Sequence, residues 1–282
     1  MDWLSMSSFT IASWNINSIR ARSHLVMDWL EKHPECLAVV LQEIKCEESQ
    51  FPACFEEAGY HVAIKGQKAY NGVAIISREK LDIRLTGLEG QDDSGSRYIE
   101  AGLPTPLGEI ILGNLYLPNG NSNGEIGLQQ KFDFFEALRL RGKELLEKEA
   151  NFIFLGDFNV CPSKKDYAPN ILPETDALLH PQSIAGWRSL EWLGLTDALR
   201  ALHPNDILYT FYDYQGGAFQ RGRGLRIDHA LLTPKLAELL EKVEIDIEER
   251  DKEKPSDHCP LIISFSKETG DKGSQTLKFG RI

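Results

Sequence analysis

Short apolar runs recur along the chain, and most are continuous rather than alternating. The clearest are FTIASWN at 9–15, LAVVLQE at 37–43, GVAIIS at 72–77, EIILGNLYL at 109–117, FIFLGDFN at 152–159, RIDHALLT at 226–233 and LIISFS at 261–266. YHVAIK at 60–65, YIEAGL at 98–103 and VEIDI at 243–247 are weaker examples. Unbroken apolar runs of this length predict strands covered on both faces. Helical period appears between them. Leu128, Phe132, Phe135, Leu138 and Leu145 fall near one face of a segment reaching about residue 149. A second helix contains Val26, Trp29 and Leu30, and a third Ile184, Trp187, Leu190 and Leu193, stopped by Gly194. Strands with helices outside them predict a layered α/β or α+β domain.

No Ser/Gly/Pro-rich linker divides the chain. PNGNSNGEIG at 118–127 reads as a loop, because a strand precedes it and a long helix follows. The expected organisation is a short leader at 1–8, one catalytic domain at 9–266 and a polar tail at 267–282. Residues 238–253 carry eight acids and three bases, which predicts a solvated face.

The net charge of −11 excludes a protein that coats nucleic acid by bulk positive charge, but leaves room for a local basic groove. Five cysteines without a CxxC pair argue against a disulfide framework or a structural zinc site, and for thiols in a reducing compartment. No basic-then-apolar leader opens the chain, and no apolar run approaches the roughly 20 residues that span a bilayer. The expectation is a cytoplasmic protein, not a membrane one.

The ends of the predicted strands carry the chemistry. Asn15 follows IASW, Glu43 follows LAVVLQ, Asp157 and Asn159 follow FIFLG, Asp228 follows GLRI, and Asp257-His258 precedes CPLIISFS. One Asp at a strand end is usually a turn or cap residue. Four such sites, with Asn and His beside them, predict polar groups converging on one sheet edge. Hard carboxylate and amide oxygens suit Mg²⁺ or Mn²⁺, ions that bind phosphate oxygens. A histidine beside an acid supplies acid–base or electrostatic function. No HExxH and no GxxxxGK[ST] occurs, so a zinc hydrolase or a P-loop nucleotidase lacks its motif.

Eight ordered motifs, SWNINSIRAR, LQEIK, GVAIIS, NLYLPNG, LGDFNVCPSKKD, GLTDALR, GLRIDHALL and SDHCPL, span nearly the whole chain. In them the sequence resembles the exonuclease III type of apurinic/apyrimidinic (AP) endonuclease, within the metal-dependent endonuclease/exonuclease/phosphatase superfamily. The resemblance implies a four-layer sandwich of two packed β-sheets flanked by helices, and hydrolysis of DNA phosphodiesters. It implies Glu43 as main metal ligand for Mg²⁺ or Mn²⁺, with Asn15 and Asp257 beside it. It implies that Asp157 and Asn159 orient water and handle the leaving group, that His258 contacts the scissile phosphate with Asp228 as its carboxylate partner, and that Tyr116 is a further phosphate contact. Arg97 would face the DNA. Phe211 and Leu225 would line an apolar pocket for an extruded abasic sugar.

The implied partner is double-stranded DNA with abasic sites or blocked 3′ ends, met by a monomer. Gln215 and Gly222 replace residues common in relatives and leave open the balance of AP endonuclease, 3′-phosphatase and 3′→5′ exonuclease activity. A phosphodiesterase of the same superfamily acting on RNA or phosphoinositides is the alternative. Arg20, Arg22, Lys45, Lys65, Lys68, Arg221, Arg223 and Arg226 are expected to track phosphates, with the acidic 238–253 segment away from DNA. Next to Asp228, His229 is expected to face the other way and be structural.

Overall fold

The computed structural model describes residues 7–91 and 94–267. Among the described residues, twelve strands form two six-stranded sheets. In chain order they are β1 (Ser8–Asn15), β2 (Cys36–Gln42), β3 (His61–Lys65), β4 (Val73–Ser77), β5 (Asp82–Leu85), β6 (Tyr98–Thr105), β7 (Gly108–Tyr116), β8 (Phe152–Asp157), β9 (Thr196–Asp197), β10 (Asp228–Leu232), β11 (Leu240–Ile245) and β12 (Leu261–Ser266). One sheet runs β11-β12-β1-β2-β4-β3, the other β5-β6-β7-β8-β10-β9. Six helices join them: α1 (Ile19–Lys32), α2 (Cys54–Glu57), α3 (Glu125–Glu147), α4 (Pro181–Trp192), α5 (Ala198–Leu202) and α6 (Pro234–Glu238).

The continuous apolar runs are explained by burial on both faces. Ile11, Val40, Ile75, Leu112, Ile153 and Ile263 meet in the core between the sheets. Trp14, Val39, Leu41 and Ile76 point outward and pack under Val26, Trp29 and Leu30 of α1. On the other side Phe152, Phe154 and Leu231 pack under Phe134, Phe135 and Leu138 of α3 and Trp187 and Leu190 of α4. Two sheets with helices on both outer faces make the expected four-layer sandwich.

Helix α4 starts on the side chain of His180, which accepts from the Gln182 N–H, and ends before Gly194 at φ 97°. Helix α3 buries Phe135, Leu138 and Leu145 as expected, with its buried face broader than the apolar period predicts. Leu128 and Phe132 are half-buried, while Lys131, Phe134 and Gly142 take core positions. A Cβ on Gly142 would stand 3.1 Å from the Phe154 ring, so glycine admits the close approach.

Several expectations are corrected. Ser8 lies in β1, and the Lys267 N–H donates to the Ser7 carbonyl, so the leader and tail boundaries each lie a little further out. The rest of the leader and tail, 1–6 and 268–282, lies outside the described residues. Strand β10 starts at Asp228, because the Arg226 N–H donates to the Asp166 carbonyl and the Ile227 N–H to the Thr210 hydroxyl. Residues 238–253 are not simply a solvated face: Glu249 and Arg250 are buried, and Arg250 donates to the Tyr212 carbonyl and lies over the Tyr214 ring. Among the described residues no helix is long and apolar enough to cross a membrane, and all five cysteines are free.

Candidate active site

Strand polarity gathers the predicted residues at one edge of the sandwich. In the parallel pair β1/β2, Asn15 is level with Gln42, which puts Glu43 just beyond the strand end. In the parallel pair β7/β8, Tyr116 is level with Asp157, and in the antiparallel pair β8/β10, Asp157 is level with Asp228. His258 comes in just before β12. The chain leaves these strands through left-handed turns at Asn17, Glu43, Lys45 and Asn159, with φ of 47°, 50°, 53° and 46°. Such backbone persists in non-glycine residues only where neighbours hold it. Here the Ser18 N–H donates to the Glu43 carbonyl at 2.7 Å, and the Lys45 N–H to the Asn71 carbonyl at 3.0 Å.

Asn15 joins two carboxylates. Its Nδ2 donates to Glu43 Oε1 at 2.9 Å and to Asp157 Oδ2 at 3.0 Å, and its Oδ1 accepts the Asn17 N–H. Asp157 Oδ1 accepts the Asn159 backbone N–H at 2.9 Å. His258 Nδ1–H donates to Asp228 Oδ2 at 2.8 Å, which aims Nε2 at Asp157, 3.8 Å away. The His258 backbone is held from two sides: Trp14 Nε1–H donates to its carbonyl, and its N–H donates to Ser256 Oγ, which itself donates to the Asn15 carbonyl.

Electrostatics separate the acids. Burial, then the Asp228 and Glu43 carboxylates, push the Asp157 pKa up against the opposing effect of His258. Burial also works on Glu43, but donation from Lys45, at 2.8 Å, and from Asn15 outweighs it and holds the Glu43 pKa below the usual range. Burial opposes charge on His258, yet Asp228, with Asp157 and Asp257, raises its pKa and keeps the imidazolium. Burial and the nearby Glu43 and Asp157 raise the Tyr116 pKa.

Glu43, Asp157 and His258 each offer one atom within 4.8 Å of the others, a group able to hold a metal ion. Asn15 is bonded into this group. Asp257 is linked to it through Asn17, whose Nδ2 donates to Asp257 Oδ1 at 3.1 Å. Arg97 stacks on the Tyr116 ring at 4.8 Å and donates to the Tyr116 and Ser94 carbonyls. The Phe211 ring stands edge-on to His258 at 5.0 Å. Leu225 pairs with Phe211 and is buried with Cys161, Leu178 and Ile227, so Phe211 is the more accessible of the two.

Three of the basic residues expected on the groove are used internally. Arg226 is 1% exposed and ion-paired to Asp166 and Asp197. Arg22 donates to the carbonyls of Ile16, Asn17 and Lys254 and to Tyr214 Oη. Lys45 bridges Glu43 and Asn17 Oδ1. Asn17, Asn119 and Ser256 also belong to the site and were visible inside the matched motifs. Trp14 lies inside the first of those motifs too, whereas Thr210, whose hydroxyl accepts the N–H groups of Ile227 and Asp228, gave no signal.

Residues 12–258 match the model of the Endonuclease/Exonuclease/phosphatase family. The chain belongs to that family. It is 35% identical to exodeoxyribonuclease III of Haemophilus influenzae, over 90% of this chain and 98% of the relative. An AP endonuclease from Archaeoglobus fulgidus superposes with a TM-score of 0.84 at 36% identity, covering 91% of this chain and 99% of that one. A 3′ phosphatase, NExo, from Neisseria, bound to a product DNA hairpin, superposes at 0.85 and 36% identity, covering 92% and 99%. Family membership makes the chain a phosphodiester hydrolase of the metal-dependent nuclease type.

Proposed function

We propose that the protein is a DNA repair nuclease that hydrolyses duplex DNA 5′ to abasic sites and trims blocked 3′ ends, with Mg²⁺ as cofactor and Mn²⁺ able to replace it. It acts as a monomer in the cytoplasm. The observation that carries this reading is the position of Asp157, a buried carboxylate with raised proton affinity between Glu43 and the Asp228–His258 pair. Relatives named for AP endonuclease, 3′ phosphatase and exodeoxyribonuclease activity over nearly the full length support the DNA substrate.

The donor chemistry fits a hard divalent cation, since Glu43 and Asp157 make two of the three donors carboxylate oxygens and the group contains no thiol. Glu43, with Asn15 and Asp257, would hold the ion. When bound, it supplies charge neutralisation at the scissile phosphate and the departing oxygen. His258, kept cationic by Asp228, donates from Nε2 to a phosphate oxygen and offsets the charge that builds there. Asp157 takes the proton of the attacking water, or holds one for the 3′ leaving oxygen; its raised pKa suits both directions. Asn159 fixes Asp157 through its backbone N–H. Tyr116 and Arg97 face the phosphate, and Phe211 with Leu225 walls the space for the baseless sugar.

The test is cleavage of an end-labelled duplex with one abasic analogue, with Mg²⁺ or a chelator, beside a single-stranded RNA and an inositol phosphate. The expected result is Mg²⁺-dependent incision of the duplex leaving a 3′-hydroxyl. Preferred hydrolysis of the RNA or the inositol phosphate overturns the reading.

A further inference from the structure

Helix α3 buries a lysine. Lys131 is 0% exposed and shares the core-facing side of the helix with Gly127, Phe134, Phe135 and Leu138. An ammonium at such a position is costly unless partners meet it. Its Nζ donates to the backbone carbonyls of Asn119, at 3.0 Å, and of Asn159. Those carbonyls belong to two separate loops, one leaving β7 and one leaving β8. The loops are also tied directly, by Asn119 Nδ2 donating to Asn159 Oδ1 at 2.9 Å, and Asn121 Nδ2 continues the chain to Asn119 Oδ1 and Asp176. The lysine stem passes through a gap kept open by Gly120, where a Cβ would stand 2.9 Å from both Lys131 Cδ and Ala177 Cβ.

Asn159 is where this clamp meets the chemistry. It is left-handed, with φ 46°, and its carbonyl faces Lys131 while its N–H holds Asp157 Oδ1 at 2.9 Å. Its side chain is already used, Nδ2 donating to the Leu117 carbonyl. Asn15 holds the other carboxylate oxygen, Oδ2, so the orientation of Asp157 Oδ1 depends on this peptide turn staying in place. We propose that Lys131 is a positioning residue that clamps the Asn119 and Asn159 carbonyls and thereby holds the turn that orients the Asp157 carboxylate. The inference rests on Asp157 as the proton-handling group. Lys131 touches neither substrate nor metal ligand, so its effect is on turnover.

Two variants of one position decide it. Lys131→Met keeps the stem and removes every donor; Lys131→Gln keeps an N–H donor but fits the apolar channel less well. A misplacement of a reacting group by about 1 Å costs about a hundredfold in rate. The expected result on an abasic duplex is kcat down about 100-fold for Met and about tenfold for Gln, with KM unchanged within about twofold. A purely structural lysine predicts the reverse ranking, since Met is the better apolar isostere and activity would follow the melting temperature. Met retaining at least as much kcat as Gln, or KM rising in step with the loss of kcat, overturns the proposal. If Met does not fold, Gln alone decides: a lowered kcat at constant KM supports the clamp, and a wild-type kcat sinks it. Asp157→Asn measured alongside keeps the two readings apart. A fully active Asp157→Asn removes Asp157 from the chemistry, whereas its inactivity beside a fully active Lys131→Met removes only the clamp.

Discussion

Asp228 and His229 are neighbours in β10, yet they point into two buried polar networks with different charge balance. His229 lies beside a network in which two carboxylates meet two guanidiniums: Arg226 binds Asp166 at 2.6 Å and Asp197 at 2.8 Å, and Arg200 binds Asp166 at 2.6 Å. The Ser163 N–H and hydroxyl donate to the other Asp166 oxygen. Burial works against the Asp166 charge, but Arg226 and Arg200 overcome it and hold its pKa well below the usual range. Asp228 lies in the network of the candidate site, where Glu43, Asp157 and Asp228 meet Lys45 and His258. Among the described residues the hydrogen bonds to Asp157 come from neutral donors, Asn15 and the Asn159 N–H, with His258 Nε2 further off at 3.8 Å, and Asp228 Oδ1 has no hydrogen-bond partner. A satisfied network fixes structure. A network short of positive charge stores affinity for a proton and a cation, and that shortage is what makes this edge of the sandwich chemical.

Breaking the catalytic network should cost turnover and leave the fold. Asp157→Asn keeps the shape and removes the proton acceptor, so kcat on an abasic duplex should fall about a thousandfold with DNA affinity kept. Single-turnover cleavage near the normal rate would contradict the charge-shortage picture. The satisfied network should respond in the opposite sense. Arg226→Met leaves buried Asp197 without its charged partner and takes one of two guanidiniums from Asp166, and should cost about 3 kcal/mol of stability, read by denaturant melting, with the Mg²⁺ dependence of the folded protein unchanged. Loss of Mg²⁺ response without loss of stability would erase the distinction.

Histidine sharpens the contrast. His229 is packed against Trp187, and its Nε2–H donates to the Val160 carbonyl. Burial, then Arg226, pulls its pKa down from 6.5 to about 4. Because the folded pKa is depressed, the unfolded chain binds the extra proton first. The stability tied to neutral His229 is complete above pH 6.5 and is lost as pH falls toward about 4, at most about 3 kcal/mol. His229→Phe should flatten the pH dependence of unfolding across that window; an unchanged slope would assign it to other groups. The smallest effect concerns Phe211. Phe211→Ala removes the ring beside His258 and should lower the ratio of kcat/KM for abasic over intact duplex about fivefold, without changing the metal response. An unchanged ratio with a lowered melting temperature would make Phe211 a packing residue.

The sheets and the carboxylates gathered at the candidate site could be read from the sequence because both are local signals. A strand buried on two faces is a continuous apolar run, and Glu43, Asp157 and Asp228 stand at the ends of such runs. Strands β5 and β9 were missed because DIRL is polar and exposed and Thr196–Asp197 is two residues long. The fate of the basic residues was not legible. Arg226 and Arg22 look like groove residues until their partners appear, and those partners, Asp166, Asp197, Tyr214 and the Lys254 carbonyl, are remote in sequence. Lys131 hid for a related reason: helical period finds apolar faces, and a lysine that belongs to one breaks the pattern.

The seam where β1 pairs with β12 also sets when the enzyme can exist. Trp14 and His258, and Asn15 and Ser256, are bonded across 244 and 241 residues of chain. The first and last strands described lie side by side, so synthesis delivers Asn15 well before His258. Until β12 docks, Asp228 has no imidazole to pair with and the backbone around Asn15 lacks its Ser256 anchor. Contacts this distant in sequence form late, after long loops have closed. A chain still emerging from the ribosome, with β12 not yet delivered, therefore carries its carboxylates but no assembled centre.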